Sequence, residues 1–287
     1  MRRMSLTRRS FLHAVGVAGL AGQARPTLTA QDVVARIQKQ VGIPWMTETV
    51  DRIVAGRPDA PVRGVATTMM ATYQVLQRAA RAGRNLVITH EPTFWSHQDT
   101  TEAIANDPTY RHKRDFITAN DLVVFRFHDH WHRMTPDGIA TGMARALGWQ
   151  RYAIDGQRNQ FALPATTLGA LVKTMEGSLK VQSMRVVGNP QLPVRRVAAS
   201  WGYASLMPRL IETAAQPGID VIIVGETREW ELVEYVQDQI ASGLPKALIM
   251  INHVVSEQAG MSYCAEWLKP FLSEVPVDFI AADEPFL

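Results

Sequence analysis

What most limits the fold of this chain is a repeating order: short apolar runs, each separated from the next by a helix-length stretch. The runs are N-L-V-I-T-H (85–90), L-V-V-F-R-F-H (122–128), D-V-I-I-V-G-E (220–226), K-A-L-I-M-I-N-H (246–253) and V-D-F-I-A-A (277–282). An earlier strand is expected at 62–67. Helical spacing of apolar residues marks 31–41, where Val33, Val34, Ile37 and Val41 share a face, and 73–81, which Gly83 ends. Further helices are expected at 110–119, 138–147, 206–215, 229–240 and 257–271. Strands that alternate with helices of ten or so residues make βαβ units, and near-continuous apolar strands are covered on both faces. The fold class is therefore α/β, with a largely parallel sheet and helices on both faces.

The middle of the chain reads differently. Between 160 and 195 a short strand (161–163), a helix (167–179) and two strands (181–187 and 194–199) suggest a smaller lobe. We therefore divide the body into a first lobe (31–155), a middle lobe (156–200) and a return to the first (201–287), with the site in the crevice between interlinked lobes. At 287 residues, that is one large domain or two intimate lobes.

The first thirty residues are set apart as an address. They hold five arginines (Arg2, Arg3, Arg8, Arg9, Arg25) and no acid, so removing them takes the formal charge from +3 to −2. The body is not basic, which argues against nucleic acid as the partner. The order T-R-R-S-F-L, then the mildly apolar stretch 11–21, matches a twin-arginine export signal. Gly22, Ala24 or the Thr29–Ala30 step are candidate cleavage points. A periplasmic location is expected, with the protein folded around any cofactor before export. No apolar run reaches the roughly 18 residues of a membrane span.

The chemistry concentrates at strand ends. Three apolar runs finish Thr89–His90–Glu91, Phe127–His128–Asp129 and Asn252–His253. The carboxyl ends of parallel strands line the ligand crevice of such folds. One histidine there is commonly a structural residue; three, each with a carboxylate or second histidine nearby, point to a metal site. Imidazole plus carboxylate suits Zn, Mn or Fe, and the single cysteine, Cys264, excludes a thiolate-rich zinc site within one chain. His253 and Glu257 stand four apart and can be aimed together by one helical turn. His90 and Glu91 are adjacent, diverge, and can reach two ions. His128, His130 and His132 alternate and share a face if that segment is extended.

These stretches resemble a known family. I-T-H-E-P-T-F-W, F-H-D-H-W-H-R-M-T-P-D-G, V-G-E and N-H-V-V-S-E-Q-A-G look like the landmarks of the Nif-three-like dinuclear-metal-centre proteins, also known as GTP cyclohydrolase I type 2 homologues. The resemblance runs from about Gln31 to the C-terminus. It implies two divalent ions per chain on His90, Glu91, His132, His253 and Glu257, and a hexameric ring. Two positions depart from the family pattern: Glu91 stands where the family has a second histidine, and His132 where it has an aspartate. The family uses those two positions on one ion, which implies a traded ligand set rather than a lost one. The alternative is that Asp129 supplies the carboxylate and His132 stands aside.

The resemblance also implies a metal-dependent hydrolase of the cyclohydrolase kind. Glu226 and His128 are its candidate catalytic residues. The family's glycine-rich turn is S-W-G-Y-A here, keeping only Gly202, which argues against a nucleotide. Trp95, Trp131, Trp201 and Tyr203 are candidate aromatic walls for another ring-bearing substrate. His97, Asp99 and His112 are expected in solvent. The competing function is a non-catalytic metal-binding or interaction protein with structural ions.

Overall fold

A computed structural model describes residues 27–204 and 206–286. The export segment and two of its candidate cleavage points, Gly22 and Ala24, lie outside them. The third does not. Thr29 caps the first helix, α1 (Ala30–Gln40), in a capping box with Asp32, and Ala30 is fully buried. A cut between them would remove a cap typically worth about 1 kcal/mol.

The strands form two five-stranded sheets where the sequence suggested one. The first contains β1 (Ile53–Ala55), β2 (Val65–Met70), β3 (Leu86–Glu91), β4 (Val123–Arg126) and β10 (Val277–Phe279), in the order β1-β4-β3-β2-β10. β4, β3, β2 and β10 run parallel, and β1 closes the edge antiparallel. The second contains β5 (Gln160–Thr167), β6 (Arg185–Val187), β7 (Pro193–Tyr203), β8 (Val221–Glu226) and β9 (Ala247–Met250), in the order β5-β7-β8-β9-β6. Its core β7-β8-β9 is parallel and both edges are antiparallel. The middle stretch 156–200 thus shares a sheet with β8 and β9. Strand pairing joins segments far apart in the chain, Val197 with Val221 and Arg185 with Met250, which local composition does not reveal.

The remaining helices are α2 (Tyr73–Arg81), α3 (Pro108–Ala119), α4 (Asp129–Arg133), α5 (Gly138–Ala146), α6 (Leu168–Leu179), α7 (Met207–Ala215), α8 (Glu234–Ala241) and α9 (His253–Leu268). The single helix expected at 229–240 begins instead with a π-helical turn, Glu229–Val233. Period-two alternation places each strand between two layers. In β3, Leu86 and Ile88 face the central core while Val87 faces an outer cluster with Leu76 and Ile117. In β8, Val221 and Ile223 face the centre while Ile222 and Val224 meet Leu210 and Val236.

The element that joins the sheets is α9. It packs on β2 and β10 of one sheet, β7 and β8 of the other, and along α5. Val254, Glu257, Gly260, Met261, Cys264 and Leu268 recur at helical spacing and are buried, with Val255, Ser256 and Ala265 buried beside them, so a wide face of the helix is covered while Glu266 reaches solvent. Its contact with α5 is backbone-close: a Cβ on Gly260 would lie 2.5 Å from Ile139 Cα, and one on Gly142 would lie 2.4 Å from the Ala259 carbonyl oxygen.

Candidate metal centre

His90 continues the inward face of β3 after Leu86 and Ile88, so the pleat aims it at α9. α9 starts four residues earlier than the sequence suggested. Asn252 is its N-cap, accepting from the Val255 amide at 2.9 Å, so His253 and Glu257 occupy successive turns of one helix. The segment H-D-H-W-H is helical, not extended. His128 and His132 therefore share a face, and His130 turns away to stack on Trp45 at 3.6 Å. Asp51 imposes that helix: its carboxylate accepts from the amides of His128, Asp129 and His130 and from His130 Nδ1.

Four imidazoles then meet with the same orientation. Each Nδ1 lies against an acceptor: His90 on the Phe127 carbonyl (3.2 Å), His128 on Asp129 (2.9 Å), His132 on Asp137 (3.2 Å) and His253 on Glu226 (3.0 Å). A Nδ1–H donating outward leaves each Nε2 lone pair pointing inward, the arrangement that orients histidines on metals. Inside, His90 Nε2 is 3.2 Å from His132 Nε2, and His253 Nε2 is 3.1 Å from Glu257 Oε2 and 3.4 Å from Glu91 Oε1. Bonds of about 2.0–2.2 Å to one ion would place neighbouring ligand atoms at roughly these separations. Ligand atoms of His90, His128 and His132, and of His90, Glu91 and Glu257, lie within 4.8 Å of one another. The residues fit divalent ions.

Glu91 and His132, expected on a common ion, face different partners. Glu91 Oε1 looks to His253 and, at 3.7 Å, to His128. His132 Nε2 looks to His90 and, at 3.7 Å, to Glu257 Oε1. Glu257 touches both groups, through Oε1 and Oε2. Asp129 is not free to replace His132: its carboxylate accepts from Thr49 Oγ1, the Val50 amide and His128 Nδ1.

The electrostatics describe a cavity that demands positive charge. Burial pushes His90 down to about 3, so it stays neutral. Burial works against charge on His132 as well, but Asp137 and Glu257 raise it to about 10. Glu226, Glu257 and Glu91 raise His253 against its burial to about 12. Burial would raise Glu91, yet the His253 hydrogen bond and nearby imidazoles bring it down to about 2. Glu257 is held well below the carboxylate range, its burial outweighed by His90, His132 and His253. Raised imidazoles and lowered carboxylates describe one cluster that favours positive charge.

Three supporting residues were not singled out by the sequence: Asp51, Arg126 and Asp137, the last of which falls within the quoted stretch R-M-T-P-D-G. Asp137 caps α5 through the Ala140 amide and also holds His132 Nδ1. Arg126 is fully buried; its Nε donates to the His90 carbonyl, Nη2 to Glu91 Oε2 at 3.2 Å and Nη1 to the His97 carbonyl. It leaves only Oε1 of Glu91 for an ion. In the sequence, Asp51 and Arg126 stand out only as charges near or within apolar runs.

Gly202 survives in the altered turn because α9 comes too close for a side chain. Its φ is +69°, and a Cβ would lie 2.2 Å from Glu257 Oε1. Two of the four expected aromatic walls are withdrawn. Trp131 is fully buried against Phe127, Tyr263 and Trp267, so it serves the core. Trp201 is also core. Trp95 is exposed, its Nε1 donating to the Thr100 carbonyl, and Tyr203 is exposed beside Glu226 across the β7–β8 register. Glu226 itself is half exposed. Asp99, expected in solvent, is buried and accepts from the Thr93 and Phe94 amides.

Comparison with known proteins now decides the family. The chain matches the family described as Duf34/NIF3 (NGG1p interacting factor 3) over residues 18–285. The chain belongs to the Duf34/NIF3 family. The match begins ahead of Gln31, where the sequence landmarks begin. Among curated relatives, a GTP cyclohydrolase 1 type 2 homolog of Clostridium acetobutylicum is 24% identical over 200 residues, covering 66% of this chain and 72% of its own. One of Clostridium perfringens is 22% identical over 243 residues, covering 81% and 87%. In fold, a Bacillus cereus protein related to NIF3 superimposes with a TM-score of 0.70 at 17% identity, over 91% of this chain and 99% of that one. Reduced HcgD from Methanocaldococcus jannaschii gives 0.64 at 14% identity, over 90% and 99%. The α/β architecture of this Duf34/NIF3 chain is shared with both.

Proposed function

We propose that this protein holds two divalent ions, Zn, Fe or Mn, and hydrolyses a ring-containing small molecule. The observation that carries the reading is the inward convergence of four imidazole Nε2 atoms and two carboxylates, each imidazole tethered outward. His90, His128, His132 and His253 together with Glu91 and Glu257 would hold the ions, Glu257 being the carboxylate that lies against both the His90–His132 pair and His253. In this reading His128, a candidate catalytic residue from the sequence, serves as a ligand instead. The chemistry such a pair supplies is an acidified water and a clamp on entering and leaving oxygens.

One side of the cluster is open, as a catalytic rather than a closed structural site requires. Side chains of His132, His253 and His128 are 26%, 20% and 19% exposed, against 0% for His90. Glu226 borders that opening with one oxygen on His253 and the other without a protein partner among the described residues, placed to accept or return a proton. The twin-arginine reading puts the enzyme in the periplasm, and the family resemblance supports a hexamer. Burial of Trp131 and Trp201 removes two aromatic walls, which favours the second reading: structural ions in a non-catalytic protein.

Metal analysis across variants tests the reading. Glu91→Ala and His132→Ala are each expected to lose about one ion, the double variant both, and Glu257→Ala both. Two ions retained by Glu257→Ala would refute the bridged centre. A hydrolase screen with the fully loaded protein then separates enzyme from structural site.

A further inference from the structure

On the far side of His132 from the cluster lies an open cleft of about 820 Å³, formed by the end of α4, the 134–137 turn, α5 and residues 150–161. That volume suits a small organic molecule. Much of its wall is apolar, supplied by Met134, Pro136, Ala144 and Phe161. Its charges are unequal. Arg133 and Arg158 line it, and Asp137 is the single acid among the lining residues.

Asp137 is already satisfied. Oδ1 accepts from the Ala140 amide, and Oδ2 accepts from His132 Nδ1 and from Arg158 Nη2 at 2.7 Å. Arg158 spends only that nitrogen, and its side chain is 72% exposed. Arg133 makes no hydrogen bond or ion pair among the described residues, nor do the side-chain amides of Gln150 and Gln157 on the same wall. The cleft therefore offers one unmatched guanidinium, the unused edge of a second, and free amides, around an apolar floor. Two guanidiniums against one already paired carboxylate give the lining an excess of positive charge, which suits an anion over a cation.

We infer that this cleft binds a small organic anion, its carboxylate or phosphate-type head group on Arg133 and Arg158 and its apolar body against Met134, Pro136 and Phe161. The site is distinct from the ions but shares a wall with them. An anion that engages Arg158 competes with Asp137, the group that orients His132. The inference stands on the cleft alone and does not need the hydrolase reading.

The test uses isothermal titration of metal-loaded protein with phenylphosphonate and phenylacetate, with benzyl alcohol as the neutral control. At least one anion is expected to bind once per chain while benzyl alcohol does not, and the preferred anion identifies the head group. Arg133→Met and Arg158→Met are each expected to weaken binding roughly tenfold, the size of a charged hydrogen bond. Ala144→Trp, which fills the cleft without touching a charge, is expected to abolish it. Metal content measured on the same samples separates failure here from failure of the metal reading. Unchanged affinity in the Arg133→Met/Arg158→Met double variant or in Ala144→Trp would place the anion on the ions and overturn the inference. So would the absence of binding by either anion at about 10 mM, beyond the weak end of specific affinity.

Discussion

Gly202→Ala is the most informative single substitution, because one added carbon strikes Glu257, the buried carboxylate at the centre of the histidine cluster. At φ +69° the new Cβ would lie 2.2 Å from Glu257 Oε1, 2.7 Å from its Cδ and 3.1 Å from His253 Nε2. Two costs arise. The left-handed backbone costs a non-glycine residue about 1–2 kcal/mol, and overpacking a fixed neighbour adds about 1–3 kcal/mol. Gly148→Ala isolates the first: Gly148 has φ +68°, and a Cβ added there would meet nothing within 4 Å. At roughly 2–4 °C per kcal/mol for a domain approaching this size, Gly202→Ala is expected to melt roughly 2–12 °C below Gly148→Ala. Glu257 must also retreat by about 1 Å, beyond the roughly 0.5 Å that a productive ligand set tolerates. Gly202→Ala should therefore lose metal, and Gly148→Ala should keep it. Calorimetry and elemental analysis of the two variants decide the matter. Full metal content in Gly202→Ala together with a melting temperature equal to that of Gly148→Ala would refute the close approach of β7 to the cluster.

Arg126→Gln strips the buried Glu91 of its partner, and losing one side of such a pair costs about 3–5 kcal/mol; denaturant unfolding checks this, and a change under about 1 kcal/mol would show that the pair is not desolvated. Metal loading should release protons near pH 7, because His132 and His253 are raised to about 10 and about 12 when no ion is present. Since the proton is the competitor, apparent metal affinity rises with pH until those groups deprotonate; titration calorimetry in buffers of different ionisation enthalpy measures the release, and a heat independent of buffer contradicts it. Arg8→Lys with Arg9→Lys should trap the protein in the cytoplasm, which fractionation reads directly. In exported protein, N-terminal sequencing should place the cut before Thr29, since that residue caps α1.

Much of the candidate site was legible because its signals are local. A histidine at the end of an apolar strand, or an i,i+4 pair at a helix start, is visible within a few residues. His130 misled for the same reason. Its spacing from His128 and His132 fits a strand, but Asp51, far earlier in the chain, collects three backbone amides and bends the segment into a helix. Trp131 misled likewise: it neighbours ligands in sequence while its ring covers Gly138 in the core.

By itself, then, the sequence determined the α/β class, the strands that end in histidine, and the imidazole and carboxylate character of the candidate centre, since period and residue chemistry are properties of short windows. Only the tertiary structure decided that there are two sheets clasping α9, that Glu91 answers to Arg126 and His253 while His132 answers to His90, and that Asp137 ties the metal cluster to a neighbouring cleft. Those pairings join residues from distant parts of the chain, and they form because burial makes an unpartnered charge costly and the fold brings the complementary groups within reach.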